Sequence, residues 1–581
     1  MAQSKSAAKK KAAAKKKAAA KKAPGNALQK NWLGSYPDDV DWDAPLPATS
    51  LPEMFDEAAK SFGSKTLANF LGKETTFAET AELTNRLAAG LQKEGVTKGT
   101  KVGLFFPNCL YYICTYFAAM KLGAIIVNFN PLYTEEEIEY QARDAGIDIM
   151  FTLDLEALLG KAAAVTKSGA VGRLAVCPFP DLLPGLKKFL FKLLKGKELA
   201  DPGALGLGDK LLSYEALIAN NGQFTPAEID PHKDIALFQY TGGTTGVPKG
   251  AMLTHANISI NCEQIRLWNT ETVIGEERIL AILPFFHVFA MTCIMNTSIK
   301  CGWQIIIMPR FDLEMAVKII KKERPTLLPG VPTLYTALMN HPGLSGDGLS
   351  SLKYCMSGGA PLPLEVRKKF EAMAGCRLIE GYGLSETSPV ATANPYNGLI
   401  KENSIGQPLP QTFVSIRSLE NPDKELALHE NGEICIAGPQ VMLGYWNKPD
   451  VTKEVFSGEY FRTGDVGYMD TDGFIYIVDR IKDMINCSGF KVYPRRIEDA
   501  IYTHPAVEEV TVIGVPDDYR GETPKAFIKL KSGHAATEED IRETIEPKLS
   551  KIEMPEYIEF RDELPKTMVG KLSKKELRES E

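Results

Sequence analysis

Apolar and polar positions along the chain follow two rhythms, and the change between them falls near residue 405. LPEMFDEAAKSF (51–62) and TFAETAELTNRLAAGLQKEG (76–95) repeat apolar residues every three or four positions, the spacing of a helix with one buried face. The second pattern stops at Gly95, as helices often do. KVGLFFPN (101–108) is a continuous apolar run closed by Pro-Asn and reads as a buried strand. A helix over 110–122, a strand in AIIVNFN (124–130) and a helix opening at Thr134 follow. This alternation predicts a parallel sheet covered by helices. Further units recur over 235–332, and YCMSGGAPL (354–362) and CRLIEGYGLSET (376–387) read as strands ending in glycine-rich turns. Beyond 405 the rhythm becomes short strands with turns (TFVSIRS, GEICIAG, GFIYIVD), which predicts an antiparallel, barrel-like subdomain over about 405–479. A polar break, DRIKD (479–483), precedes a last small unit. The expected fold class is α/β: a large N-terminal domain (26–479) of parallel α/β subdomains with the small barrel-like subdomain, then a small α+β domain (480–581).

Two stretches depart from these rhythms. YTGGTTGVPKG (240–250) follows an apolar strand, IALFQY, with four glycines, three threonines and Lys249. Glycines let backbone N–H groups converge on an anion, hydroxyls add donors and lysine adds charge. It is not a GxxxxGK[ST] loop, because Pro248 precedes Lys249 and Gly250 follows it. A phosphate cradle and a flexible surface turn both fit the composition. The second stretch, PGLKKFLFKLLKGK (184–197), sets Lys188, Lys192 and Lys195 at helical spacing opposite Leu186, Phe189, Leu190, Leu193 and Leu194. It suits either the surface of an anionic membrane or a core-packed helix with a solvated lysine face.

Composition narrows the classes. A length of 581 residues implies more than one domain. The whole carries −6, but residues 1–25 hold nine lysines and no acid, which leaves the remainder at about −15. An acidic body makes nucleic acid an unsuitable partner. The Lys/Ala-rich tail (1–25) reads as disordered, and its charge suits an anionic membrane or a solubilising role. Ten scattered cysteines without a CxxC pair read as reduced core residues of a cytoplasmic protein, and seven dispersed histidines form no metal motif. No apolar stretch reaches 18 residues, so no spanning helix is expected.

Five stretches then line up in order: YTGGTTGVPKG, GYGLSET (381–387), YFRTGDVG (460–467), DRIKDMINCSGFKVYPRRIE (479–498) and PKTMVGKL (565–572). Together they resemble the adenylate-forming superfamily of acyl-CoA synthetases, peptide-synthetase adenylation domains and luciferases, over nearly all of the chain from residue 26. PFFHVFAMT and the run PNCLYYICTYFAAMKLGAIIVNFNPLYTEEEIEYQ are similar to the bacterial medium- and long-chain fatty-acid–CoA ligases. That resemblance implies activation of a fatty acid by Mg²⁺-ATP to acyl-AMP and transfer to CoA, with a C-terminal domain that is mobile. It implies a triphosphate grip at Thr241, Gly242, Gly243, Thr244, Thr245, Gly246 and Lys249, with Thr241 and Glu386 at the Mg²⁺. It puts adenine at Tyr382, beside Gly358, Gly359 and Ala360 and within the Gly381, Gly383 and Thr387 motif, and ribose at Asp465 and Arg480. Lys571 matches the lysine that bridges carboxylate and α-phosphate, and Lys482 matches the hinge. Ser488, Gly489 and Phe490 match the pantetheine loop, and His287 an acyl-pocket position. Gly242 stands where serine is frequent and Ser385 where threonine is common. The acyl tunnel is expected behind Phe285, Phe286 and the helix carrying Trp268. Aryl or dicarboxylic acids as substrates, a tail-driven membrane scaffold with an inactive body, and a homodimer stay open.

Overall fold

The computed structural model describes residues 31–241, 248–488, 490–567 and 570–581. The tail 1–25, the loop residues 242–246 and Gly489 lie outside the described residues. Two large sheets form the body. The first has seven strands, ordered Leu211–Ser213, Val171–Cys177, Ile147–Leu153, Lys101–Leu104, Ile125–Asn128, Ile235–Thr241 and Lys249–Thr254. All neighbours are parallel except the last pair, which is antiparallel. The second has nine strands, with a parallel centre running from Arg377–Gly383 through Tyr354–Gly358, Leu327–Gly330, Arg278–Ala281 and Gln304–Ile307 to Thr66–Phe70. Antiparallel strands close both of its edges.

The helices form where the apolar period placed them, and their caps explain their limits. Thr76 and Thr134 each accept a hydrogen bond from the backbone N–H three residues on, while Glu79 and Glu137 return the bond. Helix Leu110–Lys121 is buried on every side, as an all-round apolar helix must be, and its one charge, Lys121, pairs with Asp56. The helical reading of 51–95 missed a hairpin. Thr66–Phe70 and Lys73–Thr76 pair antiparallel around Leu71 and Gly72, both at positive φ (53° and 96°). Strands of five and four residues are too short to imprint a period between two strong helical patterns, and Gly72 was the one local sign of the turn.

Residues 413–480 form a five-stranded antiparallel sheet built on Gly432–Ala437 and the long strand Tyr460–Met469. The segment ahead of the first long helix buries Trp32 and Trp42 against this sheet beside Val414, Ile434, Ile436 and Ile475. The chain from residue 485 has a second sheet of five strands and its own core, centred on Ile497, Val510, Val512, Ile528 and Ile541. It touches the body where Thr333 donates to the Gly570 carbonyl (3.0 Å), and within it Arg578 pairs with Asp483 just past the connecting turn (2.9 Å). The ten cysteines are free, nine of them buried. Among the described residues no helix is long and apolar enough to cross a membrane.

Gly90 sets helix propensity against packing. Alanine would favour the helix Phe77–Lys93 by about 1 kcal/mol, but its Cβ would fall 2.0 Å from the Leu217 carbonyl oxygen. A backbone atom cannot swing aside, so Gly90→Ala is expected to destabilise by about 1–3 kcal/mol. A lowered Tm in thermal unfolding checks this, and an unchanged or raised Tm contradicts it.

Candidate active site

The carboxyl ends of the parallel strands build one side of the site, where open α/β sheets hold ligands. Tyr354–Gly358 and Arg377–Gly383 run side by side, so Gly358 lies opposite Gly381, with Gly359 and Ala360 continuing the turn. Gly359 has φ +78°, and a Cβ there would come 2.7 Å from Cε of Lys571. This position therefore needs glycine twice over: for its backbone and for the lysine laid across it. Tyr382 follows on the same strand, and its hydroxyl donates to Oδ2 of Asp465 (2.6 Å).

Asp465 comes from the antiparallel sheet, where it lies in register with Arg480 on the neighbouring strand. Nε of Arg480 forms an ion pair with its other oxygen, Oδ1 (2.9 Å), and the carboxylate is almost wholly buried. The Thr463 hydroxyl accepts from the Asp465 N–H and donates to the Ile434 carbonyl, which fixes the turn (3.0 and 2.7 Å). Lys571 is pushed down to about 8, by burial first and then by the positive charge of Arg480, while Asp465 pulls the other way. Two cations thus share one buried carboxylate.

Across the cleft, the turn Ser385–Thr387 packs against strands Ile235–Thr241 and Lys249–Thr254. That contact gathers Thr241, Lys249 and Glu386. Glu386 is buried, and its Oε1 accepts from the Tyr445 hydroxyl (2.7 Å). Burial holds its carboxyl above the usual range, and the Tyr445 bond offsets this in part. The Lys249 ammonium stands 5.5 Å from the Tyr445 ring centre. Tyr445 was not legible in the sequence: it lies some two hundred residues from Lys249 and belongs to none of the five motifs.

His287 sits in a loop pinned by buried amides. Asn108 accepts from the Phe285 N–H (2.6 Å) and donates to the Leu283 carbonyl (2.8 Å), and Gln239 donates to the Phe286 carbonyl (3.1 Å). Burial, then the charge of Lys571, lowers His287 to about 3, so its ring is neutral near pH 7. Its Nδ1 accepts from the Phe289 N–H (3.2 Å), which leaves the proton on Nε2.

Other sequence-based expectations fall outside this cluster. The Thr387 hydroxyl is fully buried; it accepts from the Leu384 N–H and donates to the Pro389 carbonyl. Lys482 sits on the short turn Ile481–Asp483 next to Arg480, and burial together with Arg480 lowers its pKa. Ser488 and Phe490 lie on an exposed hairpin, with the Ser488 N–H donating to the Arg520 carbonyl (2.7 Å). Trp268 is buried, its indole N–H on the Asn394 carbonyl (3.1 Å), and Phe285 packs against Tyr112. Of the expected tunnel walls, Phe286 is the one left half-exposed.

A family model described as "AMP-binding enzyme" matches residues 55–446, and one described as "AMP-binding enzyme C-terminal domain" matches residues 496–571. The chain is 44% identical to a "Long-chain-fatty-acid--CoA ligase" of Bacillus subtilis, over 95% of this chain and 98% of that one. It is 37% identical to a protein of the same name from Escherichia coli O157:H7, over 95% and 98%. Its fold superposes on ATP-bound MatB from Rhodopseudomonas palustris with a TM-score of 0.80 at 28% identity, covering 92% of this chain and 99% of that one.

The charge arrangement makes a titration prediction. With lysines ¹³C-methylated, NMR should show a resonance with a midpoint near 8 that is absent in Lys571→Ala. In Arg480→Gln that midpoint should rise, because a repelling cation is gone and Asp465 faces Lys571 alone. A midpoint unmoved by Arg480→Gln would mean that the two cations are not coupled.

Proposed function

The chain belongs to the AMP-binding enzyme family, and from that membership we propose that it is a long-chain-fatty-acid–CoA ligase. ATP activates a medium- or long-chain fatty acid as acyl-AMP, releasing pyrophosphate, and CoA then takes the acyl group and frees AMP. The observation that supports this most is the position of Lys571, which lies against Gly359 and is electrostatically coupled to Arg480, Asp465 and His287. The long-chain ligases similar to this chain over nearly its whole length support the substrate class.

Each residue then has a task. The Tyr382 ring takes the adenine against Gly358, Gly359 and Ala360. A carboxylate offers about four lone-pair directions; Tyr382 and Arg480 use two on Asp465, which leaves two for the ribose hydroxyls. The loop 241–246 and Lys249 hold the triphosphate. Mg²⁺ belongs to this reading, and the donors fit it. The ion takes hard oxygens and keeps phosphate and water ligands, so Glu386 with the Thr241 hydroxyl suffices. Among the described residues no cluster of three or more His, Cys, Asp or Glu side chains offers a fuller cage. When bound, the ion would neutralise phosphate charge.

A carboxylate oxygen of the fatty acid attacks the α-phosphorus. The new O–P bond forms as the P–O bond to the β-phosphate breaks, and pyrophosphate leaves. Lys571 and Arg480 face the charge that develops and stabilise it as it forms. His287, neutral and protonated on Nε2, orients the attacking carboxylate by donating to it. In the second half the CoA sulfur attacks the acyl carbon and the C–O bond to AMP breaks. The C-terminal domain turns about Lys482, and Ser488, Gly489 and Phe490 line the pantetheine path. Fatty acids of this length partition into bilayers, so the reading includes peripheral membrane contact, through residues 184–197 and the basic tail, on the cytoplasmic side.

Pyrophosphate release from a panel running from acetate to oleate, with benzoate and a dicarboxylate, tests this. Expected is CoA-dependent turnover that peaks at medium or long chains; a faster rate with benzoate or the dicarboxylate would replace the substrate class. Lys571→Ala should lower acyl-AMP formation about 10²–10³-fold, while thioester formation from supplied acyl-AMP changes far less. Because Lys571 is held near 8, kcat/KM for pyrophosphate release should fall as pH rises through 8 and the ammonium is lost. Lys571→Arg should abolish that alkaline limb.

A further inference from the structure

Helix Gly185–Lys195 is mounted the wrong way round for an amphipathic helix on a protein surface. It buries no residue, and Leu186 (74%), Phe189 (64%), Leu193 (68%) and Leu194 (76%) are exposed, with Leu190 close behind. At 100° per residue these five fall within one arc about 140° wide. What holds the helix to the body is its other side. Phe191 packs on Phe179 with ring centres 4.9 Å apart, Lys187 donates to the Leu71 carbonyl (2.6 Å), and Lys188 pairs with Asp181 (2.6 Å). The sequence allowed a core-packed helix with solvated lysines; the structure turns Phe191, Lys187 and Lys188 to the protein and leaves the leucines in solvent.

A contiguous apolar stripe of this kind needs an occupant. Residues 184–197 hold five lysines and no acid. Lys192 and Lys197 make no ion pair among the described residues and are exposed beside the stripe. A second copy docking stripe to stripe would bring two lysine-rich collars together, so charge favours an anionic surface over self-association. Eleven residues span about 16 Å, too short to cross a bilayer but enough to lie in it.

We propose that helix Gly185–Lys195 is a bilayer-docking element. Leu186, Phe189, Leu190, Leu193 and Leu194 enter the boundary between headgroups and acyl chains, and the lysines meet anionic headgroups. As a route by which fatty acid reaches the site, this rests on the ligase reading; as a membrane contact it does not.

The test uses the full chain and Phe189→Ser/Leu193→Ser/Leu194→Ser, three changes at exposed positions that leave the fold intact. Both are floated with vesicles of 70% zwitterionic and 30% anionic phospholipid, at 0.1 M and 0.5 M NaCl. The higher salt screens the nine tail lysines. The full chain is expected to keep salt-resistant binding, with at least a tenfold lower bound-to-free ratio in the triple variant. Equal binding by both, or none by the full chain, would overturn the proposal. So would a dimer in light scattering that the substitutions dissolve while neither chain binds vesicles, since the stripe would then belong to a second copy. Turnover of octanoate without vesicles is read in parallel. Equal rates show that the variant is folded, and no turnover in either chain would sink the ligase reading while leaving the vesicle result standing.

Discussion

The arrangement at the cleft depends on charge: Arg480 and Lys571 converge on Asp465, and the carboxyls of Asp483 and Glu386 also favour the Arg480 cation. A lysine held near 8 by burial and by a neighbouring guanidinium is uncomfortable in the free protein. Such strain is what an anion relieves on arrival, and a phosphate and a carboxylate arriving together would relieve it further. Asp465 keeps the cluster from flying apart and holds Tyr382 by its hydroxyl, so one carboxylate fixes both an aromatic face and a cation.

The surroundings serve that cluster by removing freedom around it. Parallel strands end at glycines because backbone and a lysine tip must pass within van der Waals contact there, and Gly359 accepts both the left-handed conformation and Lys571. Asn108 and Gln239 tie down the loop of His287, and the Phe289 N–H holds its ring in one tautomer. On the far wall Tyr445 restrains Glu386, a carboxyl that burial pushes above its usual range. Each support is a polar group buried and satisfied, which is the condition under which such groups confer rigidity rather than instability.

A second tension lies at the surface. Five large apolar side chains face solvent on helix Gly185–Lys195, while Phe191 alone anchors it inward with the help of lysine hydrogen bonds. Water disfavours that orientation, and turning the helix over would hide the leucines. The lysine contacts with Leu71 and Asp181 hold it as it is, on the edge of the nine-stranded sheet beside the hairpin turn at Gly72.

Sequence by itself determined the elements and the chemistry within each motif. Capped helices at Thr76 and Thr134, the buried helix Leu110–Lys121 and the strands ending at Gly358 and Gly383 are written in local periods and punctuation, which short-range sterics enforce. The hairpin at 66–76 escaped because two four- or five-residue strands carry too few positions to declare a period. Tertiary structure alone decided which motifs meet. Asp465 finds Arg480 through strand register, Tyr445 reaches Glu386 across the fold, and Lys571 lies on Gly359 because a separate core carries it there. It also decided which side of the lysine-rich helix faces out. A helical period says that two faces differ; only the contacts on one of them say which way they point.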